Sequence, residues 1–324
     1  FLTHFPEIDF VVIGEGEYTF LNLVKYLEHN KEHHIEDIRG IAFRKDGKVV
    51  RTAPAEPIHH IDALPVPAKY FEYQHLSLTR GCPGKCRFCG SPKFWGPKVR
   101  FHSVEYFVDE LDRLYNKGIN FFYFSDDTFS VDKNRVIDIC RKILEKGLNI
   151  TWVAISRVNY MSEDILCWMR KAGCIQISYG VESANSDVRR YLDKRIRLQD
   201  VKAAFAATRR CGILPRAYFI YGCPGDSPAT MQETLDLLAE IKPLGAIFYI
   251  LAIFPGTRLY EAYLERTGKT DDIWLEPMED ILYFETDPAM SGETVREYGR
   301  MLRDGFHRML PGFAADIDLV EDPD

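Results

Sequence analysis

Residues 74–89 read Gln74-His75-Leu76-Ser77-Leu78-Thr79-Arg80-Gly81-Cys82-Pro83-Gly84-Lys85-Cys86-Arg87-Phe88-Cys89. Leu76 and Leu78 alternate with polar neighbours, so the spacing predicts a strand over 74–79 that ends at Arg80-Gly81-Cys82. The loop that follows carries three cysteines as C-x3-C-x2-C. Three thiolates on one short loop can wrap a single metal centre. A structural zinc site takes four ligands and is closed, whereas three thiolates on a cubane iron–sulfur cluster leave one iron open to a substrate or cofactor. The next cysteine, Cys140, lies beyond a predicted helix and strand. Zinc completed by a distant ligand such as His102 is the local alternative, and three unrelated thiols the bland one.

Working outward, strands and helices alternate. A helix over 104–116 leads to a strand over 120–124, and one over 134–145 to a strand over 150–155. A helix over 163–171 precedes a strand over 174–179, and helical stretches over 186–192 and 199–210 precede a strand over 213–221. A helix over 230–241 leads to a strand over 246–254, and a last helical turn covers 259–266. Gly147, Gly173 and Gly212 fit positions just past helix ends, and Ser103 and Ser162 fit N-caps. Repeated strand–helix units imply a parallel sheet with right-handed crossovers. The expected fold is α/β, a partial six-unit TIM-like barrel, since a closed eight-stranded barrel takes roughly 250 residues.

The rest of the chain divides around that core. Residues 1–53 contain a strand over 9–13, Gly14-Glu15-Gly16-Glu17, a helical pattern from Phe20 to Leu27, and a hairpin over 40–52 turning at Asp46-Gly47. Residues 54–72, with Pro54, Pro57, Pro65 and Pro67, read as a linker. The barrel takes residues 73–267. Residues 268–324 form an extension with a helix over 293–310 and an acidic, frayed end over 316–324. A chain that begins at Phe1 reads as part of a longer polypeptide.

The 324 residues carry 48 acidic and 41 basic side chains, a net charge of −7. Such a balance excludes a general nucleic-acid backbone partner. With 46% hydrophobic and 13% aromatic residues the chain is not disordered. The longest apolar run, 246–254, has nine residues, where a bilayer span needs about 20. Eight cysteines, three clustered and five scattered, read as a metal site in a reducing compartment and point to the cytoplasm. Arg80, Lys85, Arg87, Lys93, Lys98 and Arg100 surround the cluster with no acidic residue between Arg80 and Arg100. This basic loop would favour an anionic centre and could dock an acidic electron donor, or be merely solvated.

With an aromatic, Phe88, before the last cysteine, the C-x3-C-x2-C loop resembles the radical S-adenosylmethionine (radical SAM) superfamily. The resemblance implies that Cys82, Cys86 and Cys89 ligate a 4Fe–4S cluster. It implies that one electron from the cluster splits S-adenosylmethionine (SAM) into methionine and a 5′-deoxyadenosyl radical, which abstracts hydrogen from substrate. Residues are carried over one at a time. Asp126 or Asp127, in Phe124-Ser125-Asp126-Asp127-Thr128-Phe129, would accept from the SAM ammonium, the alternative being a helix cap. Arg157 would lie near the SAM pocket, the alternative being a surface arginine. Glu182, in Gly180-Val181-Glu182-Ser183, would bind the ribose hydroxyls with Ser183 adjacent, the alternative again being a cap. Gly222 and Gly225, in Gly222-Cys223-Pro224-Gly225-Asp226, would let the backbone approach adenine. Cys223 reads as a small apolar residue and Pro255-Gly256-Thr257 as a structural turn. These motifs fall at the carboxyl ends of predicted strands, where a parallel α/β barrel keeps its active site.

Gly14-Glu15-Gly16-Glu17, the hairpin and the Pro-rich segment resemble the end of the cobalamin-binding domain of cobalamin-dependent radical SAM enzymes. The histidine motif D-x-H-x-x-G of many such domains is absent, and His4, His29, His33, His34, His59 and His60 do not supply it. The subgroup implies methyl transfer to an unactivated carbon of a small molecule, cobalamin in the full-length protein, and reduced flavodoxin or ferredoxin as electron donor. Radical cyclisation or rearrangement is the nearest rival. A non-catalytic zinc or iron–sulfur module is the rival from another class. Cys140, Cys167, Cys174 and Cys211 read as small buried hydrophobes. The aromatic run 120–124 and Phe248-Tyr249 read as core rather than as a substrate platform, and Trp95 could wall the cluster.

Overall fold

The computed structural model describes residues 1–28, 34–96, 98–275, 287 and 289–315. The acidic end over 316–324, together with His29 and His33, lies outside the described residues.

The chain opens with strand β1 (Phe10–Val12), helix α1 (Gly16–Glu28) and the hairpin β2 (Ile41–Lys45) and β3 (Lys48–Arg51). Asp46 (φ 50°) and Gly47 (φ 72°) both adopt positive φ at the hairpin turn. That geometry belongs to the two-residue turns whose twist matches paired strands. β1 adds antiparallel to β2, and Leu23 of α1 packs with Ile38, Ile41 and Phe43 into a small core. The expected linker over 54–72 is instead a packed strap. It holds two short 3-10 turns, Ile61–Ala63 and Pro67–Lys69, and buries Ile58, Ile61 and Ala68.

The main sheet takes strands β4 (His75–Leu76), β7 (Phe121–Phe124), β8 (Thr151–Ser156), β9 (Cys174–Glu182), β10 (Leu214–Tyr221) and β11 (Gly245–Ile250). Their order is β11-β10-β9-β8-β7-β4, parallel throughout. The helices between them are α3 (Val104–Tyr115), α4 (Lys133–Glu145), α5 (Glu163–Lys171), α6 (Ser186–Tyr191), α7 (Leu198–Arg210) and α8 (Pro228–Ile241). Helices α9 (Arg258–Thr267) and α10 (Gly292–Ala315) follow. The partial α/β barrel is therefore as expected, with one strand per unit and the strands in sequence order.

Alternate residues of each strand, such as Phe122, Phe124, Trp152, Ala154, Ile177 and Phe219, are buried against the helices in one continuous core. Ser103 caps α3 by accepting from the Tyr106 N–H at 3.1 Å, while Ser162 makes no such bond before α5. Gly173 (φ 93°) enters β9 so tightly that a Cβ there would stand 2.0 Å from the Ile150 carbonyl oxygen, so no other residue fits.

Three differences from the sequence reading bear on the site. The strand expected over 74–79 breaks after β4, and β5 (Thr79–Arg80) leaves the sheet to pair with β6 (Arg100–Phe101). Between them lies a short helix α2 (Ser91–Trp95) with Pro92 in its first turn. The strand expected over 246–254 ends at Ile250, and the helical turn over 259–266 lengthens into α9.

Candidate functional site

The three cysteines sit on the loop between β5 and α2, at the carboxyl end of the sheet. All three are free thiols and half-buried. What bends the chain there is Asp126, just after β7. Its carboxylate accepts the Thr79 N–H and hydroxyl, each at 2.6 Å, and the Leu78 N–H at 3.2 Å. A carboxylate 2% exposed with three donors is a structural clamp. Burial raises its pKa to about 6 against the pull of those bonds. The Asp126–Asp127 pair thus divides. Asp127 is exposed, and the Ser91 hydroxyl donates to it at 2.6 Å. Neither is a helix cap, because Asp132 caps α4.

Polar groups surround the thiols. The Gly84 N–H donates to Cys82 Sγ at 3.3 Å, and the Thr128 hydroxyl lies 3.3 Å from the same sulfur. Arg157, after β8, is 8% exposed and not a surface residue. Its Nη1 lies 3.6 Å from Cys86 Sγ, and a Cβ on Gly84 would stand 2.8 Å from that nitrogen. Burial pushes the Cys89 thiol up, partly offset by the Ser91 backbone. Phe88 is half-buried in an apolar cluster with Cys223, Leu251 and Leu259. Cys223 is completely buried there, as a small apolar residue.

Glu182 closes β9 with φ +69°, a left-handed conformation that costs a non-glycine residue energy. Its side chain is 8% exposed and accepts from Lys194 Nζ at 2.8 Å. The ion pair lies over Gly180, where a Cβ would stand 2.4 Å from Glu182 Oε1. Asn185, not Glu182, caps α6. Ser183 accepts the Asn185 N–H at 3.1 Å through its hydroxyl, and its carbonyl accepts from Arg189 at 2.9 Å. Gly222 (φ +81°) follows β10 at the same end. Beside it Asp226 accepts the Cys223 N–H at 2.9 Å, and burial raises its pKa to about 6. Thr257 caps α9, as a structural turn should.

The basic loop is less free than its composition suggests. Arg80 and Arg100 donate to Glu15 at 2.5 and 2.6 Å, and Arg80 also donates to Glu17. Burial works to raise the Glu15 carboxyl, but the two arginines and the Ile58 N–H outweigh it and hold it below its usual range. Arg80 also lies over Trp95, 5.3 Å from the ring centroid. His102 is bound to Asp62 at 2.7 Å and stacked on Tyr106, so it serves the strap rather than a metal. Lys93 pairs with Glu261 at 2.9 Å. Lys85 and Lys98 stay exposed.

Lys194, Thr128, Ser91 and the Glu15 contact had no signal in the sequence reading. Lys194 lies between the helical stretches over 186–192 and 199–210, where no motif marks it. Of the other cysteines, Cys140 and Cys174 are buried as expected. Cys167 is exposed, with its sulfur 3.2 Å from that of half-buried Cys211.

A family model described as the radical SAM superfamily matches residues 76–238. An uncharacterized methyltransferase of Pyrococcus horikoshii is 35% identical over 268 residues, covering 79% of this chain and 58% of the relative. The anaerobic magnesium-protoporphyrin IX monomethyl ester cyclase of Cereibacter sphaeroides is 30% identical over 274 residues, covering 79% of this chain and 45% of the relative. The chain thus spans about half the length of these curated relatives. Among solved structures, the methyltransferase TsrM of Kitasatospora setae, with tryptophan substrate and a SAM analogue bound, superposes with a TM-score of 0.70 at 17% identity. That match covers 98% of this chain and 67% of TsrM. The cobalamin-dependent enzyme OxsB superposes with a TM-score of 0.62 at 19% identity, covering 92% of this chain and 40% of OxsB.

Proposed function

The chain belongs to the radical SAM superfamily, and on that premise we propose that it carries the catalytic core of an enzyme that methylates an unactivated carbon of a small molecule. The observation that carries this is the gathering of Cys82, Cys86, Cys89, Arg157, Asp127 and Glu182 at one end of a parallel sheet. Three free thiols with N–H, hydroxyl and guanidinium groups around them fit an anionic iron–sulfur cluster. When bound, the cluster supplies the electron that splits SAM.

This chain's residues supply position and charge. Gly84 N–H and Arg157 withdraw charge from the Cys82 and Cys86 sulfurs. Asp127 offers its exposed carboxylate to the SAM ammonium, and Glu182 offers the oxygen that Lys194 leaves free to the ribose hydroxyls. Ser183 and the Gly222 backbone complete the cradle, and Phe88 walls it. Asp126 acts one step back, by fixing the strand that leads into the cysteine loop.

Methyl transfer is favoured by the methyltransferase name of the 35% identical relative. A radical cyclase is the second reading, favoured by the 30% identical cyclase. In the same proposal, residues 1–53 end a cobalamin-binding-like domain, residues 54–72 strap it to the core at 73–267, and 268–324 form an extension. The full-length protein would take cobalamin, in keeping with the fold shared with OxsB. Reduced flavodoxin or ferredoxin would dock near Lys85 and Lys98. No helix among the described residues is long and apolar enough to cross a membrane, and the clustered and scattered cysteines support a cytoplasmic location in this proposal.

The test is anaerobic reconstitution. The chain should take up about four iron and four sulfide, and with dithionite and SAM it should release 5′-deoxyadenosine. A triple Cys82→Ala, Cys86→Ala, Cys89→Ala variant that kept the same iron would overturn the assignment.

A further inference from the structure

A parallel sheet is normally covered on both faces, and here the helices of the main core cover one. On the other face, Tyr123 is 39% exposed, Ile155 38% and Tyr249 50%, while their strand neighbours Phe122, Phe124, Ala154 and Phe248 pack into the helical layer. The aromatics are arranged in pairs. His75 stacks on Tyr123 with ring centroids 4.6 Å apart and planes 9° from parallel. On the far strands Tyr218 meets Tyr249 edge-on at 5.9 Å. The expectation that 120–124 and Phe248-Tyr249 are simply core therefore holds for alternate residues only.

The same face carries an unpaired cation. Arg216 of β10 is half-buried, and no described carboxylate pairs with it. Its side chain packs over Gly245, where a Cβ would stand 3.4 Å from Nε, and its guanidinium carbon lies 6.0 Å from the centroid of the Tyr218 ring. It also lies close enough to Tyr249 to oppose the rise that burial and Tyr218 impose on that phenol. The carboxylate nearby, Glu182, is already paired with Lys194. A half-buried guanidinium beside an aromatic ring, with no carboxylate paired to it among the described residues, is a site for an anion attached to a flat apolar body.

Resting on the reading above, we propose that the substrate is an aromatic acid, held with its ring system against Tyr123, Tyr218 and Tyr249 and its carboxylate or other acidic group on Arg216. Register gives it a direction. Arg216 lies beside Ser178 and Gly245, whereas Tyr249 lies beside Ile220, just before the Gly222 turn. Six residues of strand, about 20 Å, separate Arg216 from that turn. The acidic group thus sits at the end of the molecule remote from the cysteine loop, and the reacting carbon at the near end.

The probe is 8-anilinonaphthalene-1-sulfonate, an aromatic anion, set against N-phenyl-1-naphthylamine, the same skeleton without the sulfonate. Both are titrated by equilibrium dialysis into the cluster-loaded chain. The anion should bind at one site per chain, and Arg216→Met should weaken it about tenfold, the worth of one charge-assisted hydrogen bond. Arg216→Lys should restore part of the loss. The neutral probe should ignore both arginine variants, and Tyr249→Ala should weaken both probes. Equal circular dichroism and iron content exclude misfolding as the cause. Anion binding that is unchanged in Arg216→Met, or equal losses for charged and neutral probes, overturns the inference. In that case a chain that still holds its cluster and cleaves SAM leaves the radical SAM reading intact, whereas failure to hold iron removes that reading itself.

Discussion

At the scale of single residues, Glu182 shows what the site costs. It is buried, has φ +69° and holds a buried ammonium at 2.8 Å. Glycine adopts that backbone freely, whereas a residue with a Cβ pays roughly 1–2 kcal/mol. Glu182→Gly should therefore be about 1 kcal/mol more stable in urea than Glu182→Ala. Both should lose SAM affinity without losing iron, measured by equilibrium dialysis and iron assay, and unchanged SAM affinity would remove the ribose role. Lys194→Met should also cost about 3 kcal/mol or more, because it leaves the Glu182 carboxylate buried without its partner, just as the glutamate variants leave the ammonium. Asp126→Ala orphans three buried donors around Leu78 and Thr79. It should cost about 2–4 kcal/mol and shed the cluster faster than wild type. The carboxylates themselves were legible in the sequence, since each lies two or three residues beyond the end of a predicted strand. Which of Asp126 and Asp127 is clamp and which is free was not legible, because it depends on partners 47 residues away that only folding brings near.

At the scale of elements, the cysteine loop is framed by the β5–β6 ribbon, and that ribbon is held from outside the barrel. Glu15 is 6% exposed and receives both Arg80 and Arg100. These contacts span 65 and 85 residues, so a sequence reading saw two separate features, a Gly-Glu-Gly-Glu turn and a basic loop. Alternating helices and strands were readable because each is local. The ribbon was not, because two-residue strands carry no period. A carboxylate held below its usual range stabilises the fold at pH values above that range. The contribution is lost as pH falls through the lowered value, when the unfolded chain binds its proton first. Glu15→Gln should therefore destabilise the chain at pH 7 by about 3 kcal/mol, through loss of a buried charge that two arginines need. The gap between variant and wild type should narrow as pH falls below 4.5, as read from urea melts. A gap independent of pH would mean that the glutamate acts by shape alone. The outer helices make a second check. Cys167 on α5 is exposed, whereas Cys140 on α4 is buried, with its thiol pushed up to about 12. Brief alkylation of the native chain should label Cys167 and leave Cys140 and Cys174 unmodified in peptide mass spectra.

At the scale of the whole molecule, one sheet divides two kinds of surface. Helices pack against the outer face, and on the inner face Tyr123, Ile155 and Tyr249 stay exposed among the described residues. The sealing is completed by α10, which lay in the part of the sequence with no readable motif. Its Val295, Tyr298 and Leu302 pack with Tyr221 and Met231, and its Phe306 reaches the main core beside Phe248. The helix also approaches closely through Gly299, where a Cβ would stand 2.4 Å from the Tyr221 hydroxyl. None of this could be read beforehand, because a lone amphipathic helix does not say which strands it covers. If the proposed site is right, stability and chemistry are carried on opposite faces of the same strands, and they should separate under mutation. Phe306→Ala removes a side chain 4% exposed from the outer layer. It should cost about 3–5 kcal/mol in urea unfolding, yet the folded variant should keep its iron and still cleave SAM. Removing 292–315 would strip the cover from β10 and β11 and should abolish the cooperative transition altogether. If Phe306→Ala instead released iron while its melting curve stayed in place, the outer layer would be part of the site, and the division of labour between the two faces would be wrong.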